Sequence, residues 1–203
     1  TDDAGKLIDI GALYNLLLYI FAEEAGKKIN NVLTPKEVIG LVAELIGDNK
    51  DNNSLCDPVS GSGTLLVEVG KRVGIRGANI FGQEANWNQY ALTKMNLMLN
   101  GFKDSTFFWG DSLSNPKLTD DGGLKRFDIV ASIPPFADKW ATEEAEFDRY
   151  GRFQYGIPPR SQATWAYISH ILASLKPNGR AVVVVPAGVL FRISESKIRH
   201  QII

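Results

Sequence analysis

The stretch from Ser54 to Leu66, SLCDPVSGSGTLL, most constrains what this chain can fold into. A short apolar run ends at Asp57, small residues follow, and an apolar run with helical spacing begins at Leu65. This order predicts a strand, a tight glycine loop and a helix. Gly61 and Gly63 permit positive φ and a close approach of the backbone to a ligand. Because G-x-G is shorter than the full dinucleotide fingerprint, an ordinary strand–helix turn is an alternative interpretation.

Length and composition limit the classes of protein to which this chain can belong. The chain has 203 residues, enough for one domain with a substantial core, and its 44% hydrophobic and 22% charged residues are typical of a globular protein. The net charge of −1 excludes a uniformly basic nucleic-acid binder, so any nucleic-acid surface is a local patch or comes from a partner. Cys56 is the single cysteine, no signal peptide or membrane-spanning run is present, and we expect a cytoplasmic protein.

Hydrophobic spacing predicts alternating helices and strands. Helices are expected at 7–24, 34–46, 64–73, 86–100 and 161–175, and strands at 54–57, 79–84, 105–109, 127–132 and 180–185. Thr34, Pro35 and Glu37 have the spacing of a capping box, and Met95 and Met98 are interpreted as core residues. The alternation predicts an α/β fold with a doubly wound, mostly parallel sheet.

Polar residues follow the ends of several predicted strands. Glu84 comes 21 residues (84 − 63) after Gly63, close to the spacing of a ribose-binding acid, although an exposed strand-end glutamate is the alternative. Asp111 follows the third strand, and the stiff Pro134-Pro135 turn follows the fourth. Since carboxyl ends of parallel strands meet at one edge, these residues predict a site for a nucleoside-type cofactor.

Two further features complete the residue-based interpretation. The segment 137–160 lacks a clear period and is long for a loop in a compact domain, which is typical of functional loops. His170 has no second ligand at metal-binding spacing, so we interpret it as structural and expect no metal site.

Several sequence blocks resemble a known family. The chain resembles the methylation (M) subunit of type I restriction–modification systems, a family of adenine-N6 DNA methyltransferases that use S-adenosylmethionine. The blocks that carry the resemblance are Leu33–Lys36, Asp57–Thr64, Phe81–Glu84, Gly110-Asp111, Pro134–Phe136, Tyr155–Pro159, Leu175–Arg180 and Val184–Phe191.

The resemblance implies a Rossmann-like methyltransferase fold and roles for individual residues. It places Asn31, Thr34, Pro35 and Lys36 beside the methionine end of S-adenosylmethionine, and assigns its methionine and sugar to Asp57, Gly61, Ser62, Gly63 and Thr64. It assigns the ribose hydroxyls to Glu84 and the cofactor adenine to Asp111. The catalytic turn comprises Ile133, Pro134, Pro135 and Phe136, and Phe136 would stack on a flipped target base.

One position departs from the family pattern. The family has Asn-Pro-Pro-Phe or Asn-Pro-Pro-Tyr, and its Asn accepts a hydrogen bond from the adenine amino group, whereas Ile133 has no acceptor. Loss of one positioned hydrogen bond costs about 10²–10³ in rate. Two alternatives therefore accompany an active DNA methyltransferase: a cofactor-binding but catalytically impaired subunit, and a methyltransferase acting on RNA or protein.

The resemblance also implies partners and a domain arrangement. The partners would be DNA, a specificity (S) subunit that reads its sequence, and a restriction (R) subunit. We expect 1–30 to be a helical lead-in from a truncated amino-terminal region and 31–203 to be the catalytic domain, incomplete at its carboxyl end. The missing initiator Met and the stop at Ile203 within a predicted helix motivate that expectation.

Overall fold

A computed structural model describes residues 9–24, 34–47, 53–136 and 139–203. Its helices are α1 (Ile10–Glu24), α2 (Lys36–Ile46), α3 (Thr64–Arg72), α4 (Trp87–Leu99), α5 (Thr164–Ala173) and α6 (Ser196–Ile202). Its strands are β1 (Leu55–Asp57), β2 (Ile80–Glu84), β3 (Thr106–Trp109), β4 (Thr119–Asp120), β5 (Gly123–Leu124), β6 (Phe127–Ser132) and β7 (Leu175–Val183). Predictions at residues 7, 8 and 31–33 lie outside the described residues.

The predicted parallel sheet is confirmed. Its order is β3-β2-β1-β6-β7, with every neighbouring pair parallel. β1 is central, so the carboxyl ends of β2 and β6 flank the loop that follows Asp57. The antiparallel hairpin of β4 and β5 was not predicted, because strands of two residues are too short to show a period.

Alternate side chains of the strands pack into apolar layers on the two faces of the sheet. Leu55 and Ile129 pack with α2, α3 and α4 on one face, whereas Cys56 and Val130 pack with Ile171 of α5 on the other. Both faces are therefore covered, which explains why β1 and β6 consist mostly of apolar residues. Among the described helices, none combines the length and apolar character needed to cross a membrane.

The last strand begins earlier than its residue types predict. A helix was predicted at 161–175 and a strand at 180–185, but the helix ends at Ala173 and β7 already begins at Leu175. Leu175 pairs with Phe127 and Arg180 with Ile129, so extra residues of β7 are accommodated as a bulge. A Cβ at Gly179 would lie 2.8 Å from the Phe127 carbonyl oxygen, which explains why glycine suits this bulge.

Two local predictions are wrong, and one helix has a cap that was not predicted. Within the described residues 34–47, α2 begins at Lys36 after Pro35 with no side-chain hydrogen bond to its cap, so the capping box does not form. Met95 and Met98 are 48% and 61% exposed rather than buried, because they lie on the outer side of α4. Asn86 does cap α4, where its side chain accepts hydrogen bonds from the Asn88 and Gln89 amides.

Candidate active site

A cavity of about 690 Å³ lies at the carboxyl edge of the sheet. It is bounded by the glycine loop, the ends of β2, β3 and β6, and the start of α2. Its lining comprises Thr34, Pro35, Val38, Asp57, Pro58, Val59, Ser60, Gly61, Ser62, Thr64, Leu65, Glu84, Ala85, Asn86, Gln89, Asp111, Ser112, Ile133, Pro134, Pro135, Phe136, Tyr167 and Val184. The volume falls in the range of small-molecule and cofactor sites.

The glycine loop is held in shape by α4. Gly61 and Gly63 have φ of 56° and 75°, the left-handed region in which a side chain is strained. The Thr93 hydroxyl donates to the Gly61 carbonyl at 2.6 Å, and the Asn96 amide donates to the Ser62 carbonyl at 3.2 Å. A Cβ at Gly63 would lie 2.5 Å from the Thr93 methyl carbon, so α4 can approach only because this residue is glycine.

Glu84 joins the second strand to the glycine loop. Its Oε2 accepts a hydrogen bond from the Gly61 amide at 2.8 Å, and its Oε1 accepts one from the Asn86 amide at 2.8 Å. Burial raises the pKa of this carboxyl, and the backbone hydrogen bonds oppose the shift. Each oxygen retains a second lone pair, so the carboxylate can also accept hydrogen bonds from a diol in the cavity.

Asp57 is a buried carboxyl at the centre of the site. It is 2% exposed, and its Oδ1 accepts hydrogen bonds from the Ser132 hydroxyl at 2.7 Å and the Val59 amide at 3.0 Å. Burial raises its pKa to about 7, and Glu84 adds a smaller effect in the same direction. The pKa of this side chain therefore lies far above the ordinary value of an aspartate and close to neutral pH.

Asp111 caps the turn that follows β3. Its Oδ1 accepts from the Leu113 amide at 2.9 Å, and its Oδ2 accepts from the Ser114 hydroxyl at 2.9 Å. The Ser112 hydroxyl donates to the Pro58 carbonyl, so this turn is also joined to the segment that follows β1. The turn thus presents a carboxylate at the same edge as Glu84.

The Pro-Pro turn lies on the opposite side of the cavity and follows β6. Phe136 is 46% exposed, so an aromatic face is available at the cavity mouth. Ile133 lines the cavity and packs against the main core. Ser132 is fully buried and is not part of the cavity lining, so its hydroxyl, which donates to Asp57, is not presented to the cavity as the acceptor that Ile133 lacks.

The structure brings most of the predicted site residues together. The predicted residues in the lining are Thr34, Pro35, Asp57, Gly61, Ser62, Thr64, Glu84, Asp111, Ile133, Pro134, Pro135 and Phe136. Two predicted residues, Gly63 and Lys36, are not in that lining. Gly63 is the N-terminal cap of α3. The Lys36 ammonium lies 5.1 Å from the centre of the Tyr19 ring. Asn31 lies outside the described residues.

Sequence reasoning missed other lining residues. Three of them closely follow acidic residues predicted at strand ends: Ala85, Asn86 and Ser112. Their position next to predicted site residues could have indicated that they line the cavity. Tyr167 enters from α5, and nothing in its sequence surroundings indicated the cavity.

His170 is structural, as predicted. It is 5% exposed, its Nδ1 lies 3.4 Å from the Arg152 guanidinium, and burial, with Arg152 assisting, lowers its pKa to about 3. Across the described ranges, no group of three or more His, Cys, Asp or Glu residues is arranged to hold a metal ion.

Comparisons with known proteins identify the family of this chain. The family model described as N-6 DNA Methylase matches residues 7–203. The type I restriction enzyme HindI methylase subunit of Haemophilus influenzae is 30% identical over 96% of this chain and 44% of its own length. The MjaVII methylase subunit of Methanocaldococcus jannaschii is 33% identical over 96% of this chain and 34% of its own length.

A solved structure gives the same result for the fold. The type I restriction-modification system methyltransferase subunit from Streptococcus thermophilus superposes with a TM-score of 0.82 at 29% identity, covering 98% of this chain and 44% of that one. The chain thus spans less than half the length of these relatives. None of these matches supports the alternative of an impaired subunit. With a family model matched along almost all of its length, the chain belongs to the N-6 DNA methylase family.

Proposed function

We propose that this chain is the catalytic part of an S-adenosylmethionine-dependent DNA methyltransferase that modifies adenine at N6, in the methylation subunit of a type I restriction–modification system. The observation that carries the proposal is the meeting, in one cavity of about 690 Å³, of a glycine loop, three carboxyl groups at strand ends and a Pro-Pro-Phe turn. A site for a nucleoside cofactor thereby lies directly beside a site for a planar base.

The chemistry of the cavity fits S-adenosylmethionine. Glu84 offers acceptor positions for the ribose hydroxyls, and Asp111 offers a carboxylate for the adenine amino group. Asp57, in its ionised form, suits the ammonium group of the methionine part, and Thr34 and Pro35 border the same end. When bound, this cofactor supplies an electrophilic methyl group on a sulfonium sulfur.

The Pro-Pro turn would hold the target base. Phe136 exposes an aromatic face on which a flipped adenine can stack, an interaction worth roughly 1–3 kcal/mol per base. Pro134 and Pro135 fix the backbone, so the carbonyl groups of the turn keep one orientation. The Ile133 side chain has no acceptor and Ser132 is not part of the cavity lining, so the base amino group would rely on the carbonyl of Pro134, the first proline of the turn, to which the resemblance assigns this role.

The proposed partners follow from charge and from the relatives. A net charge of −1 gives the chain no overall excess of basic residues, and its sequence predicts no base-reading element, so the contacts that select a DNA sequence would come from a specificity subunit. The matched relatives are named as methylase subunits of type I restriction enzymes, which also favours assembly with specificity and restriction subunits.

The test is labelled methyl transfer to DNA together with calorimetric binding of S-adenosylmethionine, using the full-length protein with its specificity partner. Asp111→Asn should weaken cofactor binding by about tenfold, because a neutral amide interacts less strongly with the cofactor adenine. Asp104→Asn is the matched control, since Asp104 is exposed just before β3, at the other end of the same strand. No cofactor binding, or equal losses in both variants, would refute the assignment.

A further inference from the structure

The loop 139–160 is closed on itself and rests on the cavity wall. Its ends meet where the Trp140 backbone amide donates to the Arg160 carbonyl at 3.1 Å and the Trp140 indole donates to the Pro159 carbonyl at 3.1 Å. Trp140 also packs in a small apolar cluster with Leu113 and Tyr167. Leu113 belongs to the Asp111 turn and Tyr167 lines the cavity, so the loop contacts both walls of the site.

Arg152 is the buried centre of this contact. Its side chain is 4% exposed and is paired with Asp148, with Nη2 2.8 Å from Oδ1 and Nε donating to the same oxygen at 2.8 Å. The Arg152 amide donates to Asp148 Oδ2 at 2.7 Å, so the loop forms a rigid charged turn. Its guanidinium lies 5.1 Å from the Phe153 ring centre, which adds a cation–π contact within the loop.

The free end of the same guanidinium points at the Asp111 turn. Arg152 Nη1 donates to the Ser112 carbonyl at 3.1 Å and to the Leu113 carbonyl at 2.9 Å. The Leu113 amide donates in turn to Asp111 Oδ1, and the Asn115 amide donates to the Asp111 carbonyl at 2.8 Å. Arg152 therefore binds backbone carbonyls of this turn on the side away from the cavity. The Asp111 carboxylate of the same turn lies on the cavity side.

Only an arginine matches this arrangement. The planar fork serves Asp148 on one side and the carbonyls on the other, which a single ammonium group cannot do in a fixed geometry. The ring nitrogen Nδ1 of His170 lies 3.4 Å from Arg152 Nη1. Because this ring is uncharged, it does not compete with Arg152 as a second cation for the carbonyl oxygens. Burying an arginine costs free energy of desolvation unless all of its hydrogen bonds form. We therefore expect the bonds of Arg152 to Asp148, Ser112 and Leu113 to form or break together.

We propose that Arg152 is a positioning residue of the cofactor site, which fixes the Asp111 turn and transmits the state of the loop 139–160 to the cofactor-binding wall. The inference rests on the proposed function in taking the cavity as the S-adenosylmethionine site. A contact that moves the loop then changes cofactor affinity through the bonds of Arg152 to this turn, in addition to the packing of Trp140 on Leu113.

The test compares Arg152→Lys with Arg160→Lys in the full-length protein. Arg160 is in the same loop and pairs with Glu143, but both side chains are about two-thirds exposed, at 68% and 65%. Arg152→Lys keeps the positive charge beside Asp148 but loses the fork. It should speed amide hydrogen exchange at Leu113 and Asn115 and weaken S-adenosylmethionine binding by about tenfold in calorimetry, within the range of coupling through such contacts. Arg160→Lys should change neither measurement.

Several outcomes separate the inference from the proposed function. Unchanged exchange at Leu113 and Asn115 in Arg152→Lys overturns the inference whatever the ligand does. Faster exchange with unchanged cofactor affinity also overturns it, because the turn then moves without affecting the site. A lower melting temperature with unchanged affinity well below that temperature would show a merely structural role. Absence of binding by the unaltered protein refutes the cofactor assignment instead, and the exchange result alone then decides whether Arg152 fixes the turn.

Discussion

Asp57→Asn should change how the stability of this protein depends on pH. In the folded chain Asp57 is 2% exposed and burial raises its pKa from 3.8 to about 7. The folded state therefore keeps a proton that the unfolded chain releases between those two values. Because the folded pKa is the higher one, the contribution of Asp57 to stability is fully present below pH 3.8 and is lost as pH rises through about 7.

The size of this loss follows from the two pKa values. A change from 3.8 to about 7 corresponds to about 4 kcal/mol of unfolding free energy, taken as an order of magnitude. Asparagine preserves the acceptor oxygen for the Ser132 hydroxyl and the Val59 amide but cannot ionise. The variant should therefore gain stability relative to the unaltered chain as pH rises from 4 to 8.

Urea unfolding of both proteins at several pH values measures this difference. All other titrating groups, Glu84 included, are present in both and largely cancel in the comparison. Asp104→Asn, which alters an exposed aspartate, should follow the unaltered protein across the same range. Parallel curves for Asp57→Asn and the unaltered chain between pH 4 and 8 would refute the reasoning, since Asp57 would then ionise with an ordinary pKa in the folded state.

The remaining predictions concern ligand binding and catalysis. Glu84→Ala should weaken S-adenosylmethionine binding by about 1–3 kcal/mol in calorimetry, because the ribose contact is lost and the Gly61 amide is left without its acceptor; unchanged affinity would contradict the assignment. Ile133→Asn should raise methyl transfer by at least about tenfold in the assembled complex without changing cofactor affinity, and equal rates for the two forms would show that another acceptor already holds the base. In gel-shift experiments at moderate salt the isolated chain should not discriminate a specific duplex from scrambled competitors, because its net charge is −1 and its sequence predicts no helix with a basic base-reading face; clear discrimination would contradict this expectation.

Short-range chemistry made much of the site predictable. Gly61 and Gly63 adopt the positive φ that their place in a tight loop after a strand predicts. The placement of Glu84, Asp111 and the Pro-Pro turn at one edge also followed from the order of elements, because parallel strands joined by helices bring their carboxyl ends together. These features depend on local backbone preferences and on topology, both of which are present in a single sequence.

Contacts between distant residues were decided only by the tertiary structure. Ser132 lies 75 residues from Asp57, and Gly61 lies 23 residues from Glu84, so their hydrogen bonds depend on strand register rather than on spacing. The capping pattern at Thr34 failed and β7 started early, because long-range packing outweighs local preference at element ends. Arg152 showed no sequence signal, since a charged residue in an irregular loop predicts solvent exposure. Burial and the partners that compensate for it exist only once the loop, the Asp111 turn and α5 have come together.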